Sequence, residues 1–138
     1  MQRFEVKASA ESHFSWLRTR LSLERTLMSW VRTSVSLIGF GFTIVQFFER
    51  MKDFSSAAPP LYPDAARYVG LALIFCGVIC LIVSIWQYRW TLHYIRSNGF
   101  EAIAGVSMEP KQTPLYAVVI ALALIGAFAF MAVLLRLA

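Results

Sequence analysis

The sequence predicts an all-α integral membrane protein with three transmembrane helices, and two observations lead to this class. Hydrophobic residues make up 58% of the 138 residues and aromatic residues 14%, well above the averages of soluble domains. Three apolar segments are each long enough to cross the roughly 30 Å hydrocarbon core of a bilayer: 28–48, 68–86 and 115–135. We therefore expect a single membrane domain over residues 1–138 and no separate globular domain.

The first predicted element is a long helix that begins in a charged amino-terminal region, residues 1–27, and continues into the first span. Ser12 or Ser15 is a suitable amino-terminal cap, and neither Pro nor Gly interrupts the chain before Gly39. A helix of about 35 residues is longer than a bilayer requires. Its first part is therefore expected to be an amphipathic extension that protrudes into the cytoplasm or lies along the membrane surface.

The second and third helices are bounded by residues that favour loops and caps. Three prolines within residues 55–63 predict a loop before the second span. The helical pattern then continues to Ser97, where Asn98-Gly99 predicts a carboxyl-terminal cap. Pro114 suits the first turn of the third span.

The distribution of Lys and Arg predicts how the chain is oriented. On the side of the amino terminus, eight such residues flank the spans: Arg3, Lys7, Arg18, Arg20, Arg25, Arg89, Arg96 and Lys111. On the other side there are four: Arg50, Lys52, Arg67 and Arg136. Positive charge favours the cytoplasmic side. We expect the amino terminus in the cytoplasm and the carboxyl terminus outside, and the net charge of +5 favours contact with anionic lipid.

The sequence contains no combination of residues that predicts catalysis, a metal site or a cofactor. Cys76 and Cys80 lie four residues apart inside the second span and are expected to be apolar packing residues. His13 and His93 have no second metal ligand near them in the sequence. No nucleophile with its base, carboxylate pair or glycine-rich phosphate loop is present. We therefore expect no enzymatic activity, no cofactor and no nucleic-acid partner.

The most informative feature is the repeat R-T-x-x-S-x-x, which occurs three times in succession. At about 100° per residue, its arginines and serines lie within an arc of roughly 80° on one helix face, over a length of about 27 Å. We call this row the arginine–serine stripe: Arg18, Ser22, Arg25, Ser29, Arg32 and Ser36. A narrow cationic stripe of small residues favours close helix packing around an anion-filled axis. Anchoring to lipid headgroups and a simple topology signal are the alternatives.

Other side chains of the first helix flank the stripe. Glu24 lies roughly 100° around the helix, on an apolar flank where an ionised carboxylate needs a partner. Arg20 on the same helix or Arg89 at the end of the second span is the predicted partner, and a solvated carboxylate is the alternative. Trp16 and Trp30, on the other flank, are expected to pack at the membrane interface or between chains.

The segment from Glu24 to Thr33, E-R-T-x-x-x-W-x-R-T, resembles the signature of the bacterial YidH-like membrane proteins. That family is similar to the membrane domain of the eukaryotic vacuolar transporter chaperone, which makes polyphosphate and passes it through a membrane. The likeness extends to the three spans, to the basic Trp-Gln-Tyr-Arg-Trp segment at 86–90, and to the basic residue before the third span.

The resemblance implies a ring of several chains around a pore lined by basic residues. Matched position by position, those basic residues are Arg18, Arg25 and Lys111, and Glu24 matches an acidic position beside the pore. Arg32 departs from the eukaryotic pattern, and without a polymerase domain in this chain polyphosphate synthesis is not expected of it.

The arginine–serine stripe and the family resemblance together predict a cyclic homo-oligomer. In it, the arginines surround the symmetry axis, because a monomer would expose them to lipid. The expected function is an anion-interacting, channel-like or conduit assembly for phosphate or polyphosphate. The alternative is a non-transporting membrane scaffold that binds anionic lipid headgroups and stabilises a partner protein.

Overall fold

The structure, a computed structural model, describes residues 7–54, 64–97, 103 and 114–136. Three α-helices account for nearly all of them: α1 Ala10–Phe54, α2 Ala65–Ser97 and α3 Pro114–Leu135. Each helix is long and apolar enough to cross a membrane, so the predicted all-α, three-span integral membrane fold is confirmed. The predicted loop at 55–63, the cap at Asn98-Gly99 and the basic residue Lys111 lie outside the described residues.

Helix α1 is a single helix of 45 residues that contains both the charged amino-terminal part and the first span. Its first turn is capped by Ser9, because the backbone N–H of Ser12 donates to Ser9 Oγ at 3.2 Å and that of His13 to the Ser9 carbonyl at 3.0 Å. The predicted caps, Ser12 and Ser15, are therefore wrong, and both residues lie inside the helix. At about 1.5 Å per residue, α1 is about 68 Å long, roughly twice the hydrocarbon thickness.

Helices α1 and α2 pack along seams of buried residues that recur at spacings of three and four. This spacing is typical of left-handed helix pairs that cross at a small angle. On α1 the seam consists of Leu27, Val31, Ser34, Gly41 and Val45. On α2 it consists of Gly70, Ile74, Gly77, Leu81, Ser84 and Tyr88.

The backbones of the two helices approach each other closely at Gly41 and Gly70. A Cβ atom added to Gly41 would lie 2.6 Å from the carbonyl oxygen of Gly70 and 2.9 Å from Ile74 Cγ1. Both distances are shorter than van der Waals contact, and the first obstacle is backbone that cannot rotate away. Glycine is therefore required at this crossing so that the two backbones can touch.

Helix α3 completes the bundle by packing mainly against α2. Val119 is almost fully buried against Leu81 and Tyr88, and the rings of Tyr88 and Tyr116 lie 5.7 Å apart. The end of α2 therefore meets the beginning of α3. At the opposite end of the bundle, Arg136 donates to the carboxylate of Glu49 at 2.8 Å and joins α3 to α1.

The first part of α1 packs within the chain, along the end of α2. Trp16 is 6% exposed and contacts a small cluster that includes Ile95 and Ile103. The prediction that Trp16 packs between chains is therefore wrong, since Ile95 and Ile103 of its own chain cover its ring, whereas a place at membrane-interface depth stays a prediction. Trp30, by contrast, is 47% exposed. Both α1 and α2 thus continue together beyond their apolar segments.

Candidate functional site

The arginine–serine stripe lies on the face of α1 that points away from the other two helices. All six of its side chains are exposed in the single chain. At about 100° per residue, the buried seam of α1, which includes Leu27 and Val31, lies on roughly the opposite side of the helix. The packing of one chain therefore leaves the whole stripe free for a ligand or a neighbour.

The arginines of the stripe are not neutralised within the described part of the chain. Ion pairs form there at Arg20, Lys52 and Arg136, and none of them includes Arg18, Arg25 or Arg32. Arg32 is the deepest of the three with respect to the apolar segment of α1. An arginine that faces hydrocarbon costs several kcal/mol, on the order of 3 at the centre of a helix. The stripe therefore requires an anion, headgroups or a second protein surface.

The hydroxyl groups beside the arginines are largely satisfied by the helix itself. Thr19, Thr26 and Thr33 form a second row next to the stripe, and each hydroxyl donates to the carbonyl oxygen four residues earlier, at 3.0 to 3.2 Å. Ser36 donates to the Arg32 carbonyl at 2.9 Å in the same way. Among the described residues, the structure gives no such bond for the exposed hydroxyls of Ser22 and Ser29, so the donors that remain available to an external ligand on this face are these two hydroxyls and the guanidinium groups, which suit phosphate and carboxylate oxygens.

The same row of small and polar residues continues more sparsely beyond Ser36. Further steps of seven from Arg32 and Ser36 reach four more positions on this face: Gly39, Thr43, Gln46 and Arg50. Gly39 and Thr43 are exposed, and a Cβ atom at Gly39 would meet nothing within 4 Å. Thr43 and Gln46 are the only polar side chains of the first span after Ser36, so the sequence predicts a hydrophobic gate in this half or no open pathway.

Two phenylalanine rings lie among the polar residues in this second half of α1. Phe40 is 67% exposed and Phe47 is 58% exposed. At about 100° per residue, both are on the same side of the helix as Ser36 and Thr43. This face of α1 is thus cationic in its first half, whereas in its second half it carries a mixture of small, polar and aromatic side chains.

Glu24 lies beside Arg20, one of its two predicted partners. Glu24 Oε1 is 3.6 Å from Arg20 Nε, and both side chains are partly buried. The Arg20 guanidinium also lies 5.8 Å from the centre of the Trp16 ring. Arg89, the other predicted partner, is exposed on α2 and lines a cavity between α2 and α3. The Arg20–Glu24 pair therefore belongs to the packing of the first part of α1.

The cysteines and histidines are dispersed through the described residues. Cys76 and Cys80 are free thiols on α2, and no cluster of three or more His, Cys, Asp or Glu side chains occurs in the ranges that the structure describes. His13 Nδ1 lies 2.6 Å from the carbonyl oxygen of Ile103, and the ring stacks on Trp16. This histidine therefore joins the start of α1 to the segment between α2 and α3.

The part of the chain that carries the arginine–serine stripe matches a known protein family. The model of the family described as a domain of unknown function, DUF202, matches residues 15–94, which is more than half of the chain. The match runs from the first turns of α1 to near the end of α2. No curated protein and no solved structure matches the sequence. The chain therefore belongs to the DUF202 family, the family of YidH-like membrane proteins whose E-R-T-x-x-x-W signature it carries.

Proposed function

We propose that this protein forms a homo-oligomer in the bacterial inner membrane in which the arginine–serine stripes of neighbouring chains face a shared axis and bind phosphate-rich anions. The amino-terminal end of α1 lies in the cytoplasm in this arrangement, and the carboxyl terminus lies outside. Phosphate or polyphosphate is the proposed anion, and a channel-like or conduit assembly is the proposed form.

The observation that carries the proposal is the exposure of the complete stripe opposite the packing face of α1. Three arginines without carboxylate partners in the described residues lie in one row with small residues between them. Small residues allow helices from neighbouring chains to approach closely. An axial position also removes Arg32 from contact with hydrocarbon.

The spacing of the arginines determines what the axis can hold. Seven residues correspond to about 10 Å along a helix, so Arg18, Arg25 and Arg32 form three cationic tiers in a ring. Each tier brings like charges together, which is repulsive unless anions lie between them. A chain of phosphates offers repeated negative charge along such an axis, and the resemblance to the polyphosphate-handling chaperone makes polyphosphate the first anion to test.

A second candidate is favoured by Phe40 and Phe47. These rings are among the most exposed side chains of α1, and they lie on the side of the stripe in its second half. Aromatic rings that face outward suit contact with acyl chains or a closed hydrophobic constriction better than an open aqueous path. The second candidate is therefore a non-transporting scaffold whose arginines bind anionic lipid headgroups and which stabilises a partner protein.

The test is to measure subunit number and polyphosphate binding on purified protein in nanodiscs. Native mass determination gives the number of chains, and titration with defined-length polyphosphate gives the affinity. The Arg18→Gln, Arg25→Gln, Arg32→Gln triple variant should bind polyphosphate about a thousandfold more weakly or worse, because each of the three charge-assisted contacts contributes about 1.5 kcal/mol or more. A single Arg25→Gln variant is compared with Lys7→Gln, which removes the same charge from an exposed position outside the stripe.

The outcomes separate the two candidates. An oligomer whose polyphosphate binding falls in the stripe variants but not in Lys7→Gln supports the axial arrangement. A protein that binds no polyphosphate, yet loses retained anionic lipid in the triple variant, supports the scaffold. Unchanged polyphosphate binding in the triple variant would exclude the stripe as the anion site.

A further inference from the structure

A second cationic feature lies away from the stripe, where the end of α2 meets the beginning of α3. An open cavity of 510 Å³ is lined there mainly by basic and aromatic side chains: Trp86, Arg89, Trp90, His93, Arg96 and Tyr116. We call it the α2–α3 cavity. The first five of these residues recur on one side of α2 because they are three and four positions apart. Tyr116, in the first turn of α3, closes the other side.

We infer that the α2–α3 cavity is a binding site for the headgroup of an anionic phospholipid, with Arg89 and Arg96 holding its phosphate. This site is formed by one chain, so it does not depend on the oligomer or on the stripe.

The charge of the cavity indicates a phosphate ligand. Arg89 and Arg96 are two helical turns apart, and His93 lies between them. The described lining residues include no carboxylate, and neither arginine takes part in an ion pair within the described part of the chain. Guanidinium groups donate two parallel hydrogen bonds to phosphate oxygens, which a single ammonium group cannot do.

The position of the cavity indicates that the phosphate belongs to a lipid. The apolar part of α2 ends at Trp86, and Arg89 is the first charged residue after it, so the cavity opens at the depth of the headgroups. Trp86 and Trp90 are 72% and 67% exposed at its edge. Exposed tryptophans next to a cationic cavity between two spans are typical of headgroup binding at the membrane interface.

Acyl chains also find a surface directly next to this cavity. On α2, Ile82 and Val83 are 56% and 50% exposed, one turn before Trp86, and on α3 Val118 is 50% exposed, close to Tyr116. These side chains continue from the cavity toward the middle of the spans. A free phosphate ion uses only the arginines, whereas a phospholipid also uses this apolar surface, so the lipid is the better match.

The test counts lipids that remain bound to the protein after reconstitution with phosphatidylglycerol or with zwitterionic phosphatidylcholine. Native mass spectrometry of the wild-type protein should retain at least one phosphatidylglycerol per chain under activation that removes phosphatidylcholine. The Arg89→Gln, Arg96→Gln variant should retain it about 25-fold less, at about fivefold per arginine near an anionic surface. Lys7→Gln, which loses an exposed cation elsewhere, should retain it as the wild type does.

A second measurement needs no substitution at the arginines. In a Trp30→Phe variant, which removes the exposed tryptophan of α1, phosphatidylglycerol with brominated acyl chains should quench the fluorescence of the exposed Trp86 and Trp90 more strongly than brominated phosphatidylcholine at the same mole fraction. Inorganic phosphate in solution should not relieve this quenching, since it lacks the acyl chains.

Equal retention of the two lipids by the wild type, or equal quenching by them, would overturn the inference. Relief of the quenching by millimolar inorganic phosphate would assign the cavity to a free anion instead. The stripe experiment uses polyphosphate and other arginines. One of the two proposals can therefore fail while the other holds.

Discussion

From the packing of α1 against α2 we predict different effects of the same substitution at two glycines, Gly39 and Gly41. Gly41 faces α2, whereas Gly39, two residues earlier, faces outward on the side of the arginine–serine stripe. Both glycines lie in the same helix, at nearly the same depth, and receive the same substitution to alanine. The two variants therefore differ in what the new methyl group meets.

The structure gives the expected magnitude of each change. In Gly41→Ala, the methyl group would lie 2.6 Å from the Gly70 carbonyl oxygen, so the two helices must separate. Overpacking of this kind costs about 1–3 kcal/mol, while alanine regains about 0.5–1 kcal/mol of helix propensity. In Gly39→Ala, nothing lies within 4 Å of the new Cβ, so only the gain in propensity is expected.

The assay is thermal unfolding of the purified variants in detergent, followed by tryptophan fluorescence, with the mass of each sample checked by size exclusion. We expect Gly41→Ala to melt about 3–12 °C below Gly39→Ala, because the gain in propensity is common to both variants and the overpacking leaves a difference of about 1–3 kcal/mol in the free energy of unfolding. If Gly39→Ala changes the oligomeric mass, the substitution has disturbed a contact on the outer face of α1, and its melting temperature is not compared with that of Gly41→Ala. Equal melting temperatures for two variants of equal mass would refute the close approach of α1 and α2 at Gly41.

Two further predictions concern ion pairs. Glu24→Ala should lower the free energy of unfolding by only about 0.5 kcal/mol, because its partner Arg20 is one turn away and both side chains contact solvent. Glu11→Ala, at an exposed position in the first turn of α1, should cost about 0.3 kcal/mol through the helix dipole, and a cost of Glu24→Ala that is the same with and without Arg20→Gln would contradict a pair at Glu24. Glu49→Gln removes the 2.8 Å pair with Arg136 and should cost under about 1 kcal/mol. That cost should nearly vanish in about 1 M salt, where the Debye length is about 3 Å, and a gap in melting temperature that persists at high salt would argue against the pair.

The sequence was sufficient to predict features that follow from long, repeated patterns. Three spans follow from runs of about 20 apolar residues, because a helix of that length crosses the bilayer and satisfies its own backbone groups. The common face of Arg18, Arg25 and Arg32 follows from their period of seven. Neither inference requires knowledge of which helices touch.

Features that depend on a single local choice or on helix rotation were not predicted. Ser9, Ser12 and Ser15 all have the chemistry of a cap, and their spacing of three gives no basis for choosing among them. The choice between Arg20 and Arg89 as the partner of Glu24 depends on how α1 is rotated against α2. The burial of Trp16 depends on Ile95 and Ile103, which are about 80 residues away in the sequence.

Because α1 is long and its contact with α2 at Gly41 is off-centre, a tilt of α1 about that contact would move its two ends by different distances. The contact between Gly41 and Gly70 lies much nearer to Phe54 than to Ala10, which leaves arms of about 20 Å and about 47 Å on its two sides. If that contact is the pivot, a tilt of α1 by about 5° displaces its last turn by about 2 Å and its first turn by about 4 Å. A change in the thickness or tension of the bilayer that tilted α1 about this contact would therefore displace its amino-terminal end about twice as far as Phe54, against the packing of Trp16 on the end of α2.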